Sequence, residues 1–392
     1  MTASARLGWP LSVADPYDDY RRLRDEGPIC RLPEIDVPLV VGHDLASEVL
    51  AGADWSSDPS TSARLVERFG AVAPVSFEFG SILMSDPPRH TWLRKAVSGY
   101  FTPRNIERIR DRVGRIVDLA LGGLGHGGAV DVMDEVAYPV PIAVMCELLG
   151  APAAFAPRLR DETPRLVATL DPLADAPAIE AGAAAALSLM FELVALVAER
   201  RALPGDDLIS ALLDEEAGLP SEEVIPLALI LLAAGHETTA NLVGGAVVAL
   251  HDHPDVARAA RADRRLLPVL VEELVRYDGP VQLASRIATT DRLVAGLAVG
   301  AGEQVLVGLG AANRDPAVFG DPDSIRLDRS TPHVGFGHGR HFCLGAALAR
   351  LEVSEIVARL LDLPVPLEDL DIHVRRGQSA TFRRVESLLI ES

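Results

Sequence analysis

A cysteine in a loop rich in glycine and histidine is the first feature of this sequence that could do chemistry. Residues 335–345 read GFGHGRHFCLG, and Cys343 is one of only 3 cysteines in 392 residues. Gly337 and Gly339 allow backbone conformations that other residues avoid, so the loop can curl tightly around a sulfur atom. If a helix begins just after Cys343, its free N–H groups point at the sulfur and favour the metal-binding thiolate.

Two plainer interpretations of this loop stay open on the residues alone. Cys343 could be a buried structural thiol, with glycines that serve only the turn. A zinc site fits less well, because His338 and His341 accompany a single cysteine and the paired C-x-x-C spacing of structural zinc sites is missing.

A second group of polar residues interrupts the long apolar segment 224–250, where residues 233–242 read AAGHETTANL. Gly235 inside a helix costs about 1 kcal/mol relative to alanine, which indicates that another group approaches the backbone near Ala234 and Gly235. Thr238 can bond the carbonyl one turn back and open a groove, and Glu237 supplies an acid beside it. The alternative is a polar seam that neighbouring side chains satisfy within a helical core.

Two charged pairs have helical spacing. Glu273 and Arg276 form an E-x-x-R pair on one helix face. His90 and Arg94 lie four residues apart after Pro87-Pro88, and two donors at that spacing suit a carboxylate. Each pair taken singly is weak evidence, since such spacings are common on solvent-exposed helices.

Together these motifs resemble the cytochrome P450 family, in that family's order, from about residue 15 to residue 385. The pattern F-x-x-G-x-H-x-C-x-G resembles the family's haem-binding signature, and it consists here of Phe336, Gly339, His341, Cys343 and Gly345. Residues 234–238 match (A/G)-G-x-(D/E)-T. The resemblance implies haem b, iron protoporphyrin IX, with the Cys343 thiolate as its axial ligand. It also implies a mainly α fold with small β-sheets, in which a long buried central helix crosses the haem.

The resemblance also implies roles for individual residues. Glu237 is the expected proton relay and Thr238 the hydroxyl that orients dioxygen. The residues expected to bind the haem are His90, Arg94, Ala234, Gly235, Arg286, Phe336, Gly337, His341, Cys343 and Gly345. In the family the E-x-x-R pair recruits a second arginine from a later loop. Ser324 stands where many relatives have that arginine, so Arg329 is the first candidate and Arg326 the second. The residues expected to line the substrate pocket are Phe79, Leu231, Val281, Gln282 and Leu283.

The implied activity is that of a haem-thiolate monooxygenase of the soluble bacterial type. It would insert one oxygen atom from O2 into a medium-to-large, mostly apolar small molecule, by hydroxylation or epoxidation, in natural-product tailoring. Two alternatives remain: oxidative coupling or desaturation without oxygen insertion, and a haem-binding protein without enzymatic activity. Because the chain has no convincing flavin or iron–sulfur motif, ferredoxin and ferredoxin reductase are the expected electron donors. The cations expected to form their dock are Lys95, Arg104, Arg108, Arg340 and Arg350.

Composition limits the possible partners and location. The net charge of −19 argues against nucleic acid, whose phosphates need clustered lysine and arginine. Segment 224–250 is long enough to span a bilayer, but the polar residues at its centre favour a buried core helix and no membrane contact. No basic start followed by an apolar stretch indicates a signal peptide, and the 3 distant cysteines favour a reducing cytoplasm.

Apolar spacing predicts the elements that hold these residues. Helices are expected over residues 14–28, 46–51, 103–123, 137–149, 182–202, 206–217, 222–251, 253–262, 265–277 and 344–362. Strands are expected over residues 36–42, 286–289, 293–298 and 304–309. Residues 150–180, rich in alanine and proline, are expected to form a mobile loop over the pocket. Proline-rich boundaries are scattered, so the expectation is one domain over residues 1–392.

Overall fold

The computed structural model describes residues 11–12, 14–32, 35–72, 82–122, 128–214 and 219–391, and these are mainly helical. The α-helices are α1 (Tyr17–Glu26), α2 (His43–Ala51), α3 (Ala63–Phe69), α4 (Arg89–Ser98), α5 (Pro103–Glu107), α6 (Arg110–Leu121), α7 (Pro139–Leu149), α8 (Ala156–Ala168), α9 (Ala176–Ala202), α10 (Leu208–Leu212), α11 (Ser221–Asp252), α12 (Pro254–Ala262), α13 (Leu267–Asp278), α14 (Leu309–Ala312) and α15 (Ala346–Leu360). The strands are β1 (Ile29–Leu32), β2 (Val37–Val40), β3 (Trp55–Ser56), β4 (Val130–Asp131), β5 (Leu283–Ala288), β6 (Arg292–Val294), β7 (Leu297–Val299), β8 (Gln304–Gly308), β9 (Asp371–Arg376) and β10 (Val385–Glu391).

The strands form small sheets at the edges of the helical body. The largest sheet has the order β1-β2-β8-β5-β3, in which β2 and β8 are parallel and the other pairs are antiparallel. A second sheet has the order β4-β10-β9, and β6 pairs with β7. Strand β5 places Arg286 and its neighbours along one wall of the central cavity.

Helix α11 runs through the centre of the main apolar core and packs against α7, α9, α13 and α15. It is apolar around most of its circumference, as expected of a helix that is surrounded by other helices. Two threonines bond back to carbonyls one turn earlier: Thr238 to Ala234 O at 2.7 Å and Thr239 to Gly235 O at 3.0 Å. The polar centre of the segment is thereby accommodated inside the protein.

Within the described ranges, two helices are long and apolar enough to cross a membrane by length and composition alone. For α11 the relevant window is 78% buried within the protein, whereas for α9 it is 44% buried at a mean hydropathy of 2.0. Helix α11 is therefore a core helix. Helix α9 has one face without a covering element in the described part of the chain.

The structure corrects three of the expected elements. Residues 293–298 are not one strand but the hairpin β6–β7, because Ala295 and Gly296 both have positive φ and turn the chain. The helix expected over residues 103–123 is split into α5 and α6. Residues 150–180 contain α8 and the start of α9 instead of a continuous loop. Alanine is the best helix former and Pro177 lies in the first turn, where proline is tolerated, so that composition is compatible with helices.

Candidate active site

The Cys343 loop is held by backbone hydrogen bonds and by two glycines with positive φ. The N–H of Cys343 donates to Phe336 O at 2.8 Å, and that of Gly337 donates to Val334 O at 2.8 Å. Gly337 has φ 73° and Gly339 has φ 72°. A Cβ on Gly339 would lie 2.6 Å from the Cα of Ala51 in α2, so only glycine fits there. The loop is therefore a fixed cradle that presents the thiol.

The thiol of Cys343 lies in the wall of the central cavity, at the start of the turn into α15. Helix α15 begins at Ala346, a little later than the sequence suggested, and the backbone N–H of Gly345 is the one that bonds the sulfur. Burial raises the pKa of the Cys343 thiol, while the Gly345 N–H and the guanidinium groups of Arg94 and Arg350 act in the opposite direction. A positive centre bound at the sulfur would favour the thiolate.

The cavity beside this thiol has a volume of about 430 Å³, within the range of about 300–1,000 Å³ for small-molecule sites. Its walls are residues 335–345 on one side, the middle of α11 on another and β5 on a third. A Cβ built on Gly345 would meet nothing within 4 Å. Open space therefore lies directly against the backbone next to the sulfur, as a flat ring would require.

Four cationic or donor side chains cluster at one end of this cavity. The rings of His90 and His341 lie 4.1 Å apart, and the Nε2 atom of each is buried without a hydrogen-bond partner. Arg94 donates to Phe342 O at 2.6 Å, and Arg286 is buried and donates to Ser285 O at 2.8 Å. The sequence predicted that these four residues act together, and the structure brings them together.

The pKa values of this cluster are lowered first by burial and then by neighbouring positive charge, while Asp86 acts in the opposite direction on His90 and Arg286. Burial lowers the pKa of His341 to about 3, and the nearby Arg286, His90, Arg340 and Arg94 lower it further. Burial, reinforced by Arg94 and Arg340, also lowers the pKa of His90, and burial lowers that of Arg286 to about 10. Buried donors and cations without a bound counter-charge are what an acidic group on a bound ligand would satisfy.

Helix α11 presents small residues and one hydroxyl to the cavity. Ala234 is exposed to this space although α11 is otherwise buried there, and Gly235 and Thr238 line the cavity beside it. A Cβ on Gly235 would lie 2.5 Å from the sulfur of Met145 in α7. The group that approaches the backbone of Gly235 in this structure is therefore a methionine.

Glu237 lies away from the cavity, on another face of α11. Its side chain is fully buried, and Oε1 lies 3.4 Å from the Tyr138 hydroxyl, 3.2 Å from Asn241 Nδ2 and 3.4 Å from Arg384 Nε. Its Oε2 atom has no partner. The structure thus brings Thr238 to the cavity wall. Glu237, the expected proton relay, is not among the residues that line the cavity.

A further acid, which the sequence reasoning missed, lies behind the cavity wall. Glu352 in α15 is fully buried, and among the described residues neither carboxyl oxygen accepts a hydrogen bond, because the nearby Thr239 hydroxyl donates to Gly235 O. Burial raises its pKa to about 8, an effect that the facing hydroxyl of Thr239 partly offsets. Its position among the apolar residues of α15 (Leu351, Val353 and Ile356 are all buried) is the only sequence signal that indicates a buried acid.

The E-x-x-R pair forms a buried network beneath the Cys343 loop. Arg276 Nε donates to Glu273 Oε1 at 2.7 Å, and its other nitrogens donate to backbone carbonyls of Asn313, Pro322 and Ser324. Arg329 Nε donates to Glu273 Oε2 at 3.1 Å. Arg326 contributes only its backbone N–H to Glu273, since its side chain pairs with the exposed Asp328. Of the two candidates for the third member, Arg329 is therefore the one in place.

The expected substrate-pocket residues divide into three groups. Leu231, Val281 and Leu283 line the cavity. The expectation for Gln282 is wrong: its amide points into the core, where Nε2 donates to Gly279 O at 2.9 Å and to the Tyr17 hydroxyl at 3.3 Å. It alternates with Val281 and Leu283 along an extended segment, so its side chain points to the opposite side. Phe79 lies outside the described residues.

These observations fit a ring-shaped cofactor that has a metal at its centre and acidic groups at its edge. The cavity places a thiol at one wall, open space over Gly345 and a cluster of uncompensated donors at one end. The described residues contain no cluster of three or more side chains that could hold a metal, and a single cysteine suits a metal whose other ligands come from the ring itself.

Comparison with known proteins identifies the class. Residues 198–363 match the family model for cytochrome P450. The chain is 43% identical over 378 residues to cytochrome P450 monooxygenase PikC of Streptomyces venezuelae, covering 93% of this chain and 87% of that protein. It is 38% identical over 360 residues to 6-deoxyerythronolide B hydroxylase of Saccharopolyspora erythraea, covering 88% of each. The solved structure of Mycobacterium smegmatis CYP164A2 superposes with a TM-score of 0.89 at 35% identity, covering 100% of this chain and 99% of that one.

The chain therefore belongs to the cytochrome P450 family. It has the cytochrome P450 fold, mainly α with small sheets, as the sequence predicted. It is an oxidoreductase of the monooxygenase type, and its cofactor is iron protoporphyrin IX with a cysteine as axial ligand, here Cys343. Enzymes of this class act on small molecules with O2 and receive electrons from a redox partner.

Proposed function

We propose that this protein inserts one oxygen atom from O2 into a C–H or C=C bond of a medium-to-large, mostly apolar natural product in the cytoplasm. The second oxygen atom leaves as water, which requires two electrons from the redox partner and two protons. Bound haem supplies the oxidising power for this reaction. The protein must bind the substrate, exclude bulk water and deliver protons at defined atoms.

The observation on which this proposal depends is the hydroxyl of Thr238 in the cavity wall opposite the Cys343 loop. Because Thr238 Oγ1 donates its hydrogen to Ala234 O, its lone pairs remain free to accept a hydrogen bond in the cavity. A hydroxyl at this place can hold a water molecule, and thus a proton, beside the apolar residues of this part of the wall. The small side chain of Ala234 leaves room beside it.

The substrate class follows from the remainder of the wall. Leu231, Val281, Leu283 and Phe382 are apolar, and burial of apolar surface contributes about 25 cal/mol per Å² to binding. Arg68 is the only cation among the described lining residues away from the Cys343 end, and burial lowers its pKa. A largely apolar molecule with one acidic or carbonyl group near Arg68 would match this wall.

Substitution of Thr238 tests the proposed role of its hydroxyl. In the Thr238→Ala variant we expect the amount of product formed per reductant consumed to fall about 2- to 10-fold. That range corresponds to the net free energy of one lost hydrogen bond. Haem binding should be unchanged. The measurement is hydrogen peroxide released against product formed, with a ligand chosen from a small-molecule collection by its shift of the haem absorption spectrum.

Thr238→Ser is the matched control, because it keeps the hydroxyl and should retain most of the coupling. Equal coupling in wild type and Thr238→Ala would remove Thr238 from the reaction. A product that is oxidised but contains no 18O from labelled dioxygen would instead support coupling or desaturation as the activity.

Electron delivery is the other part of the proposal, with a ferredoxin and its reductase as the donor pair. Lys95 in α4 and Arg104 in α5 are exposed, and Arg108 follows α5. Helix α5 packs against α15, and Arg94, next to Lys95, bonds the loop at Phe342, which supports a dock for the donor on this side of the Cys343 loop. Arg350, expected in the same set, is already paired with Glu272 at 2.5 Å and stacks on Phe336.

A further inference from the structure

The exposed face of α9 is a continuous apolar stripe that the activity does not explain. Phe191 is 78% exposed, Leu187 54% and Val194 51%. Ala184 and Ala198 are exposed as well and extend the stripe by one turn at each end. An exposed phenylalanine between two exposed aliphatic residues is unusual for a surface that meets only water.

The spacing of the stripe is that of a helix–helix seam. Positions 184, 187, 191, 194 and 198 follow the alternating three- and four-residue steps of a heptad repeat. At 1.5 Å per residue the stripe is about 21 Å long. Alanines at both ends and a phenylalanine at the centre allow a second helix to lie along the stripe at close distance.

The charges at the two ends of the stripe indicate which helix that is. Glu180 lies in line with the stripe at its amino-terminal end, and Arg201 lies at its edge at the carboxyl-terminal end. Both are exposed, and neither has a hydrogen bond or ion pair within the described ranges. An antiparallel copy of α9 centred on Phe191 places Arg201 of one chain within a helical turn of Glu180 of the other. A parallel copy would place like charges together.

We propose that two copies of this protein associate through their α9 helices, antiparallel and centred on Phe191. A bilayer surface matches the stripe less well, because interfacial helices place lysine and arginine beside the apolar face, whereas Glu192 and Glu199 flank this stripe and the chain has a net charge of −19. One helix pair buries less than the standard interface of about 1,600 Å². The dimer is therefore weak and forms in proportion to protein concentration.

The buried face of α9 gives this association a structural consequence. Gly182 packs so closely on Thr169 that a Cβ there would lie 2.2 Å from the threonine methyl, and Thr169 lines the cavity. Pairing of the two α9 helices would therefore restrict the movement of Thr169, and with it of one part of the cavity wall, in each protomer.

Sedimentation velocity of the haem-loaded protein over a dilution series tests this proposal. Wild type should shift from monomer toward dimer as concentration rises. Phe191→Glu should weaken dimerisation at least about tenfold, because a phenylalanine side chain withdrawn from water is worth more than a factor of ten in an equilibrium constant. Leu293→Glu, which alters a side chain that is 75% exposed in β6, is the matched control and should dimerise like wild type.

Charge reversal determines whether the partner is a second, antiparallel copy. Glu180→Arg and Arg201→Glu should each weaken the dimer, and the double variant should recover it, since the opposed charges are exchanged together. A monomer at every concentration overturns the proposal. A dimer that Phe191→Glu leaves intact also overturns it. The same holds if the wild type stays monomeric but co-sediments with phosphatidylcholine vesicles and the Phe191→Glu variant does not. An unchanged carbon monoxide difference spectrum shows that each variant is folded.

Discussion

At the scale of single residues, the site is defined by buried groups whose polar atoms have no partner among the residues that the structure describes. Within the described part of the chain, His90 and His341 each leave Nε2 buried without a partner, and Arg286 is a buried cation that donates to the Ser285 carbonyl. Buried polar groups in folded proteins are normally satisfied, so a cluster of exceptions marks a ligand site. Here the ligand is haem, whose carboxylates match that cluster. The same logic singles out Glu352, which contacts no cation.

Glu352 should make the stability of the protein depend on pH in a specific direction. Its pKa is about 8 in the folded protein against 4.5 for an ordinary glutamate, so the folded state retains a proton that the unfolded state has lost. The stabilising contribution is complete below pH 4.5 and is lost as pH rises toward 8. In that window the free energy of unfolding should fall by at most about 1.4 kcal/mol per pH unit because of this group.

The measurement is thermal unfolding of the haem-loaded protein between about pH 5 and 8. Glu352→Gln should flatten the decline, since the amide is neutral at every pH. Glu355→Gln, one turn away, is the control: Glu355 pairs with Arg359 at 2.7 Å and Arg110, and its variant should keep the wild-type slope. Identical slopes for wild type and Glu352→Gln would show that Glu352 does not hold a proton.

At the scale of elements, the sequence was informative where apolar periodicity and capping agree, and uninformative where tertiary contacts decide. Helices α11, α12, α13 and α15 were predicted within a few residues of their bounds. Gln282 was misplaced because a one-residue change of face in an extended segment turns a lining residue into a core residue. Strands β9 and β10 were missed: the alternation in β9 is limited to Ile372 and Val374 on a mostly exposed strand, and β10 contains three consecutive apolar residues, 388–390, instead of alternation.

The site shows the same division between local and long-range information. The Cys343 loop is a contiguous motif, and the sequence alone located it. The burial of Glu352 and the hydrogen bonds from Arg276 to backbone carbonyls depend on contacts between segments that are distant in sequence. No local pattern encodes such contacts. Glu237 was placed correctly on α11, but the face of the helix that it occupies depends on Arg384 and Tyr138.

The link between α13 and the loop after α14 depends on Arg329. Its side chain donates to Glu273, Gly320 O and Asp321 O, and is 9% exposed. Arg329→Ala should lower the free energy of unfolding by about 1–3 kcal/mol, because Glu273 keeps Arg276 and loses one charged donor. The check is the midpoint of thermal unfolding of the haem-loaded protein.

Arg326→Ala provides the comparison within the same loop. The Arg326 side chain is 46% exposed and pairs with the exposed Asp328, and an ion pair between two exposed side chains contributes little to stability. Its variant should unfold close to wild type, since the backbone N–H that reaches Glu273 is retained. A larger loss for Arg326→Ala than for Arg329→Ala would reverse the assignment of the third cluster member.

At the scale of the whole molecule, charge is distributed unevenly. The chain has a net charge of −19, yet Lys95, Arg104 and Arg108 are exposed without an ion pair in the described residues; Lys95 follows Arg94, which bonds the Cys343 loop, and the other two lie on or just after α5, which packs against α15. Phe342 is 38% exposed among them. A local basic surface in an acidic protein orients an acidic partner, because the remainder of the molecule repels it.

The expectation of one domain over residues 1–392 stays a prediction.

The electron donor should therefore respond to this surface through its rate of association. The triple variant Lys95→Glu, Arg104→Glu, Arg108→Glu should reduce the rate of haem reduction by ferredoxin at least about tenfold at low ionic strength, the lower end of electrostatic steering effects. The difference should shrink as salt rises, because exposed charges are screened beyond about 8 Å at 0.15 M. Stopped-flow reduction under carbon monoxide measures the rate.

Arg258→Glu is the control for net charge. Arg258 lies on the exposed side of α12, where Glu368 is its partner at 3.7 Å. This variant changes the net charge but not the basic surface formed by Lys95, Arg104 and Arg108, so its haem should be reduced at the wild-type rate. An equal effect of both variants per unit charge would mean that only the net charge matters, and a rate that is insensitive to salt would place the donor elsewhere on the protein.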